Sequence, residues 1–371
     1  MSAAFRPGWA RRLRVLREHP STRDLAAMVV SSPINIRYLT GFTGSSGLLI
    51  AASSGNALVT DGRYDTAVRE AVAAGEMASV NVERVEIRYE LTLIDYLRRL
   101  QAGRVGVEAG HITVSTLESW KRAAPEIEWV ATDGVVERQR LVKDEGEVAL
   151  FRRAGRALAG VSLRLREWVR EGRTEREVAR DIDAGIESAG FSQTAFPTIV
   201  ASGPNSAHPH ARPGDRRLRA GDLVVLDFGG VLDGYCVDLT RMAGIGQIGS
   251  DAASLVTAVQ SAQRAAVSAV RPGISGADVD RAARSVLEGA GLGPAFLHGT
   301  GHGLGLEVHE APRLSRTATG TAETLEVGMV CTIEPGAYVA GLGGVRLEDD
   351  VLVTASGCEV LTEAPRDLLV V

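Results

Sequence analysis

The chain has 371 residues, 45% hydrophobic and 23% charged, with a net charge of −5. That length suffices for two domains, and the acidic balance leaves no basic field for nucleic acid. No stretch approaches the ~20 apolar residues of a membrane span. The three widely spaced cysteines outline neither a disulfide framework nor a CxxC zinc site, so a cytoplasmic protein is expected.

The first twenty residues are arginine-rich, and the spacing of Trp9, Leu13, Val15 and Leu16 predicts a surface helix. AAMVVSS (26–32) reads as a strand, and GLLIAASSGNALVTD (47–61) as two strands joined by a Ser-Ser-Gly-Asn turn. DTAVREAVAAG (65–75) and LTLIDYLRRLQAG (91–103) read as helices, and RVGVEA (104–109) as a further short strand. These pieces make an α/β layer of their own. The polar run 131–144 reads as a junction, and a long helix is expected from Glu145 to Gly172.

An internal repeat follows. Gly172, Thr174, Glu177, Val178, Ile182, Ile186 and Gly190 recur 101 residues later as Gly273, Ser275, Asp278, Val279, Ala283, Leu287 and Gly291. Each copy offers a capping residue, an apolar i, i+4 stripe and a glycine stop. A strand pattern then repeats at an offset of 107: Gly221, Leu223, Leu226 and Asp227 correspond to Gly328, Val330, Ile333 and Glu334. A second acid follows each, Asp238 and Glu348, so each half is expected to supply two carboxylates from a β-hairpin around a pseudo-twofold axis.

Asp227, Asp238, Glu334 and Glu348 all interrupt apolar or glycine-rich runs, where an unpaired carboxylate is costly. Five of the seven histidines fall between 208 and 309, and His302 lies in FLHGTGHGLGLEVHEAP with His298 and His309. Carboxylate oxygens with one imidazole suit one or two divalent ions, which metal hydrolases use to make hydroxide near neutral pH. Hard oxygen ligands favour manganese, with cobalt or zinc as alternatives. His210 and His309 are the imidazoles available to a hydrolytic intermediate. Arg346 is expected to orient Glu348 or to grip substrate. Asp222 and Asp233 read as turn or cap residues.

HGTGHGLGLEVHEAP, CTIEPGAYV and GVRLEDDVLVT, after LDFGGVLDGYCVDLTR, resemble the pita-bread dinuclear metallopeptidases, which include methionine aminopeptidase, prolidase and aminopeptidase P. SSPINIRYLTGFTGSSGLLI and ALVTDGRYDTAV resemble the creatinase-like N-terminal domain of the last two. The resemblance implies a creatinase-like α/β domain over 1–135 and an α+β pita-bread catalytic domain over 136–371. It places one metal on Asp227, bridging carboxylates at Asp238 and Glu348, and the second metal on His302 and Glu334. It also implies that His210 and His309 contact the scissile bond and that Glu334 shuttles a proton. His298 and Tyr338 would line the proline pocket, supported by Arg346, with Arg63 in the segment bordering the entrance. The family's loop histidine falls on His210, although His208, two residues earlier, replaces a usually apolar residue. A homodimer acting on proline-containing peptides is implied, with aminopeptidase P favoured over prolidase. A non-catalytic binding module on the same fold is the rival from another class.

Overall fold

A computed structural model describes residues 8–318 and 324–371 of the chain. Two compact units divide between Arg140 and Leu141. Among the described residues, no helix is long and apolar enough to cross a membrane.

The N-terminal unit is built on six strands: β1 (Ala27–Val30), β2 (Leu48–Ala52), β3 (Gly55–Asp61), β4 (Asn81–Val85), β5 (Arg104–Glu108) and β6 (Glu128–Thr132). They form a mixed sheet in the order β4-β3-β2-β1-β5-β6. The β2–β3 hairpin turns where Ser-Ser-Gly-Asn predicts it, with Ala52 opposite Gly55. Val29, Ile50, Val59, Val105 and Val107 pack with Leu93, Ile94 and Leu97 of the helix Tyr89–Arg99, which gives the unit its own core. The edge strands β4 and β6 carry little apolar alternation because each is buried mainly at one end, and neither is evident in the sequence pattern. The expected junction at 131–144 contains the boundary between the units and also holds the end of β6 and a helix, Val135–Leu141. Val135 and Val136 are buried there, which explains why a polar stretch still folds.

The C-terminal unit opens with the helix Glu145–Leu163, capped reciprocally by Asp144 and Glu147. This helix ends well before Gly172. The α-helical ladder is interrupted at Arg164, whose N–H donates to the Val161 carbonyl three residues back, and a short helix, Leu165–Trp168, follows. Trp168 then lies against Gly185 of the helix Glu175–Ser188, where a Cβ would come within 2.5 Å of the indole.

Two larger sheets and a small one follow. β7 (Gln193–Thr194), β8 (Ile199–Ser202), β9 (Leu223–Leu232) and β10 (Tyr235–Gly244) form the first, with β18 (Leu369–Val370) beside β10. β11 (Gly301–Gly303), β12 (Glu310–Leu314), β13 (Val330–Ile333), β16 (Asp349–Thr354) and β17 (Gly357–Val360) form the second, ordered β12-β11-β13-β16-β17. β14 (Gly336–Val339) and β15 (Gly343–Arg346) form the two-stranded third sheet. Val225, Met242, Ile333 and Val351 from the two larger sheets share one core with Leu255 and Val259 of the helix Ser250–Ala269.

The repeat has geometric counterparts. Helices Glu175–Ser188 and Gly276–Gly289 begin at Thr174 and Ser275, whose side chains accept from the N–H groups of Glu177 and Asp278. Gly172 and Gly273 sit at φ 84° and 83°, and their N–H groups donate to Leu218 and Leu325, each at 2.8 Å. Only the first copy closes a full capping box. Asp278, one methylene shorter than Glu177, bonds the Ser275 hydroxyl instead. The strand halves differ more. β9 and β10 form a direct hairpin through Asp233 and Gly234, both with positive φ. In the second half β13 pairs with β16, and the β14–β15 hairpin is inserted between them. The expectation of two alike hairpins is corrected there.

Candidate metal centre and active site

Asp227 and Asp238 come from the middle of β9 and β10. Asp227 faces Thr240 across the pair, and Asp238 is two residues from Thr240, so both carboxylates share a face. Glu334 directly follows β13, with its N–H donating to the Thr300 carbonyl at 2.7 Å. Glu348 lies between β15 and β16. Its Oε2 accepts from the Thr240 hydroxyl at 2.6 Å. His302 sits on β11, which approaches β13 closely because residue 301 is glycine: a Cβ there would collide with the Thr332 carbonyl. The His302 N–H donates to Thr332 Oγ1 at 3.1 Å.

Ligand atoms of Asp238, His302 and Glu348 all lie within 4.8 Å of one another. His302 Nε2 is 3.5 Å from Glu334 Oε1. Asp227 Oδ1, Asp238 Oδ1 and Glu348 Oε1 are buried and accept no hydrogen bond from the described residues. Burial, together with neighbouring carboxylates, raises the pKa of Asp238 and Glu348 well above the ordinary range. Burial raises that of Glu334 as well. The same burial lowers the pKa of His302 and favours its neutral form. Unsatisfied carboxylate oxygens beside a neutral imidazole make a donor set that fits divalent cations.

These residues line a cavity of about 550 Å³ with His210, His298, His309 and Arg346. His208 is not among the lining residues, so His210 is the member of that pair at the cavity. The His302 and His309 rings meet edge-on at 4.4 Å between centroids. Burial lowers the pKa of His298 and of His309. Tyr338 stands behind the wall, its hydroxyl 2.9 Å from His298 Nε2, and burial pushes its pKa up to about 12. Arg346 closes β15 and does not reach for Glu348. It donates to Asp227 Oδ2 (2.5 Å), to the Tyr338 hydroxyl (2.9 Å) and to the Pro209 carbonyl (3.2 Å). Glu348 is two residues further on, past the end of that strand, and is held by Thr240 instead.

Arg63 belongs to the N-terminal unit, where it pairs with Asp61 at 2.8 Å and is largely exposed. Asp222 forms a two-point pair with Arg216 (2.6 and 2.8 Å), and Asp233 occupies the hairpin turn, as turn chemistry predicts.

Sequence reasoning passed over several supports. Asp350 is fully buried and accepts from the Asp238 N–H at 3.0 Å, and its signal was the acidic run 348–350 inside a strand. Thr240 and Thr332 carried no such signal. Arg212 and Arg313 also line the cavity, as do Phe196, Pro197 and Ile199, and nothing in their spacing distinguishes them.

Residues 149–355 match the model of metallopeptidase family M24, and residues 12–142 match the creatinase/prolidase N-terminal domain. The chain belongs to metallopeptidase family M24. It is 32% identical to the Xaa-Pro dipeptidase of Pyrococcus furiosus over 96% of this chain and 99% of that protein. The solved Xaa-Pro dipeptidase from Bacillus anthracis matches 98% of this chain and 100% of its own at 30% identity, with a TM-score of 0.92. The X-Pro aminopeptidase from Thermotoga maritima matches 94% of this chain and 98% of its own at 31% identity and a TM-score of 0.86. The creatinase-like domain joined to a pita-bread catalytic domain is the architecture of this M24 peptidase, a metal-dependent hydrolase.

Proposed function

We propose that this M24 peptidase hydrolyses Xaa-Pro bonds and acts as an Xaa-Pro dipeptidase. The observation that carries the proposal is the single cavity in which the acid and imidazole donors meet an apolar wall (Phe196, Pro197, Ile199) and three arginines, Arg212, Arg313 and Arg346. An Xaa-Pro bond has no N–H and a restricted φ, so it suits a site that holds the ring and the carbonyl. A dipeptide also carries its carboxylate next to the ring. Arg346 is engaged by Asp227, Tyr338 and Pro209, and Arg212 lines the same cavity as a cation for that carboxylate. Several relatives bear dipeptidase names, which supports this choice.

Asp227, Asp238, His302, Glu334 and Glu348 would hold two divalent ions, manganese by preference, with cobalt or zinc as alternatives. When bound, such ions acidify water and polarise the scissile carbonyl. Glu334, whose proton affinity burial raises, takes the proton released from water and returns it to the proline nitrogen. His309 and His210 donate to the oxygen that becomes negative in the tetrahedral intermediate. His298 and Tyr338 shape the ring pocket, and Arg346 holds Asp227 and Tyr338 together. In this reading the protein is a cytoplasmic homodimer.

Aminopeptidase P activity is the second reading, favoured by the GFTGSSG and TDGRY segments and by the T. maritima relative. Turnover of Ala-Pro against Ala-Pro-Gly by the manganese-loaded protein separates the two. Preference for the dipeptide supports the dipeptidase, and preference for the tripeptide supports the aminopeptidase. Cleavage of neither would sink the Xaa-Pro assignment.

A further inference from the structure

The segment that carries His210 runs from β8 to β9 and has a buried anchor. Glu175, the first residue of the helix Glu175–Ser188, is completely inaccessible to solvent. Its carboxylate accepts from the Ser202 N–H (2.8 Å), the Ser202 hydroxyl (2.7 Å) and the Gly214 N–H (3.1 Å). The Asn205 side-chain amide donates to both of its oxygens, at 3.0 and 3.2 Å. One charged group therefore fixes the segment where it leaves β8 and again beyond His210. On the cavity side the same segment is met by Arg346 at the Pro209 carbonyl and by the Gly344 N–H at Ser206 Oγ, 2.9 Å away.

An acid at the start of a helix can serve the helix alone, by complementing its dipole. The internal repeat argues otherwise. The counterpart of Glu175 in the second copy is Gly276, so the shared helix start does not require an acid there. Yet the second copy also supplies a buried acid, from a different turn. Asp280 accepts from the Thr300 N–H and hydroxyl (3.1 and 3.0 Å) and pairs with Arg284, which donates to the carbonyls of Phe296 and His298. Both halves thus tie a histidine-bearing segment to a helix through a buried carboxylate, and the tied segment is the feature they share.

We infer that Glu175 is a positioning residue that acts on catalysis by holding residues 203–213 so that His210 faces the reacting bond. This rests on the role given to His210 above. Asp cannot substitute, because a side chain one methylene shorter cannot span both anchors. Gln is isosteric but turns an N–H₂ toward donors.

The test is a double-mutant cycle on the manganese-loaded full chain with Ala-Pro, combining Glu175→Gln with His210→Ala and reading bound metal and, in the protein loaded with diamagnetic zinc, the His210 Cε1–H resonance. A misplacement of about 1 Å can cost on the order of 100-fold. Glu175→Gln is therefore expected to lower kcat/KM by roughly that factor in the native background and by less than about threefold beside His210→Ala. Metal should stay bound while the His210 resonance moves. Equal losses in both backgrounds would overturn the inference and leave Glu175 a purely structural acid. If His210→Ala leaves kcat/KM intact, the role of His210 fails. The resonance alone then decides the tether, and an unmoved signal refutes it. Should Glu175→Gln not fold, Asn205→Ala removes one donor and is read in the same way, with a smaller shift.

Discussion

Asp238 and Glu348 each keep one buried oxygen without a hydrogen bond from the described residues, in surroundings that raise their proton affinity. In metal-free protein their folded-state pKa values lie above the ordinary 3.8 and 4.5, so the folded state binds more protons than the unfolded state. Stability then falls as pH rises through that window. Carboxyls held below their usual range, such as Glu177 at the Thr174 N–H, have finished ionising by about pH 5 and do not mask the trend. Burial of His298, His302 and His309 as neutral rings acts in the opposite direction up to about pH 7, so the Tm of chelator-treated protein should drop above that pH, and the Tm of metal-loaded protein should drop far less. Parallel curves would count against a cation site. The two neighbouring histidines should separate under mutation. His302→Ala is expected to abolish turnover and metal binding together. His309→Ala should lower kcat by about 100-fold with metal retained, and metal loss in that variant would reassign it as a ligand. The acids were legible in the sequence because each interrupts an apolar run. Thr240 was not, because what it does depends on a partner 108 residues away, and Asp350, although it stands in the acidic run 348–350, has a role set by Asp238, 112 residues away.

At the scale of elements, the repeat was legible as paired caps and glycine stops, and the structure gives the matched glycines nearly equal φ angles. The inserted β14–β15 hairpin was not legible, since a strand-turn-strand pattern reads alike whether it continues a sheet or leaves it. The unequal caps allow a test. Asp278→Glu should let the side chain reach back to the Ser275 N–H, as Glu177 reaches Thr174, and stabilise the chain by about 0.5 kcal/mol. Loss of the Asp278–Arg281 pair is a minor offset, because both side chains are substantially exposed. An unchanged or lower denaturation midpoint would show that the second helix start cannot accept the box. Gly301→Ala should act in the opposite direction. Its Cβ meets the Thr332 carbonyl, which is backbone and cannot swing aside, so a loss of about 1–3 kcal/mol is expected. Activity should fall with it, because His302 is the next residue. Wild-type stability in that variant would mean that β11 can move away from β13 freely.

For the whole molecule, composition and motif order were enough to separate two units. The boundary between Arg140 and Leu141 lies within the polar run 131–144, although that stretch forms a helix with buried valines rather than a bare linker. Every acid and imidazole of the candidate centre lies after that boundary, whereas β1–β6 and the core they share with the helix Tyr89–Arg99 lie before it. A ligand that binds only the native state stabilises the cooperative unit that contains its site, by RT ln(1 + [L]/Kd). Other units are stabilised only if they unfold with it. Manganese should therefore slow amide hydrogen exchange in β9, β10, β13 and β16 of the full chain. A hundredfold excess over Kd would lower the exchange rate in globally opening amides by about the same factor. Amides of β1–β6 should exchange at unchanged rates, because the unit that holds them closes its sheet and its core from its own residues. Equal slowing in both sets would show that the chain opens as a single cooperative body. No slowing in either set would mean that manganese does not bind the native state under those conditions, and the assignment of the centre would fall with it.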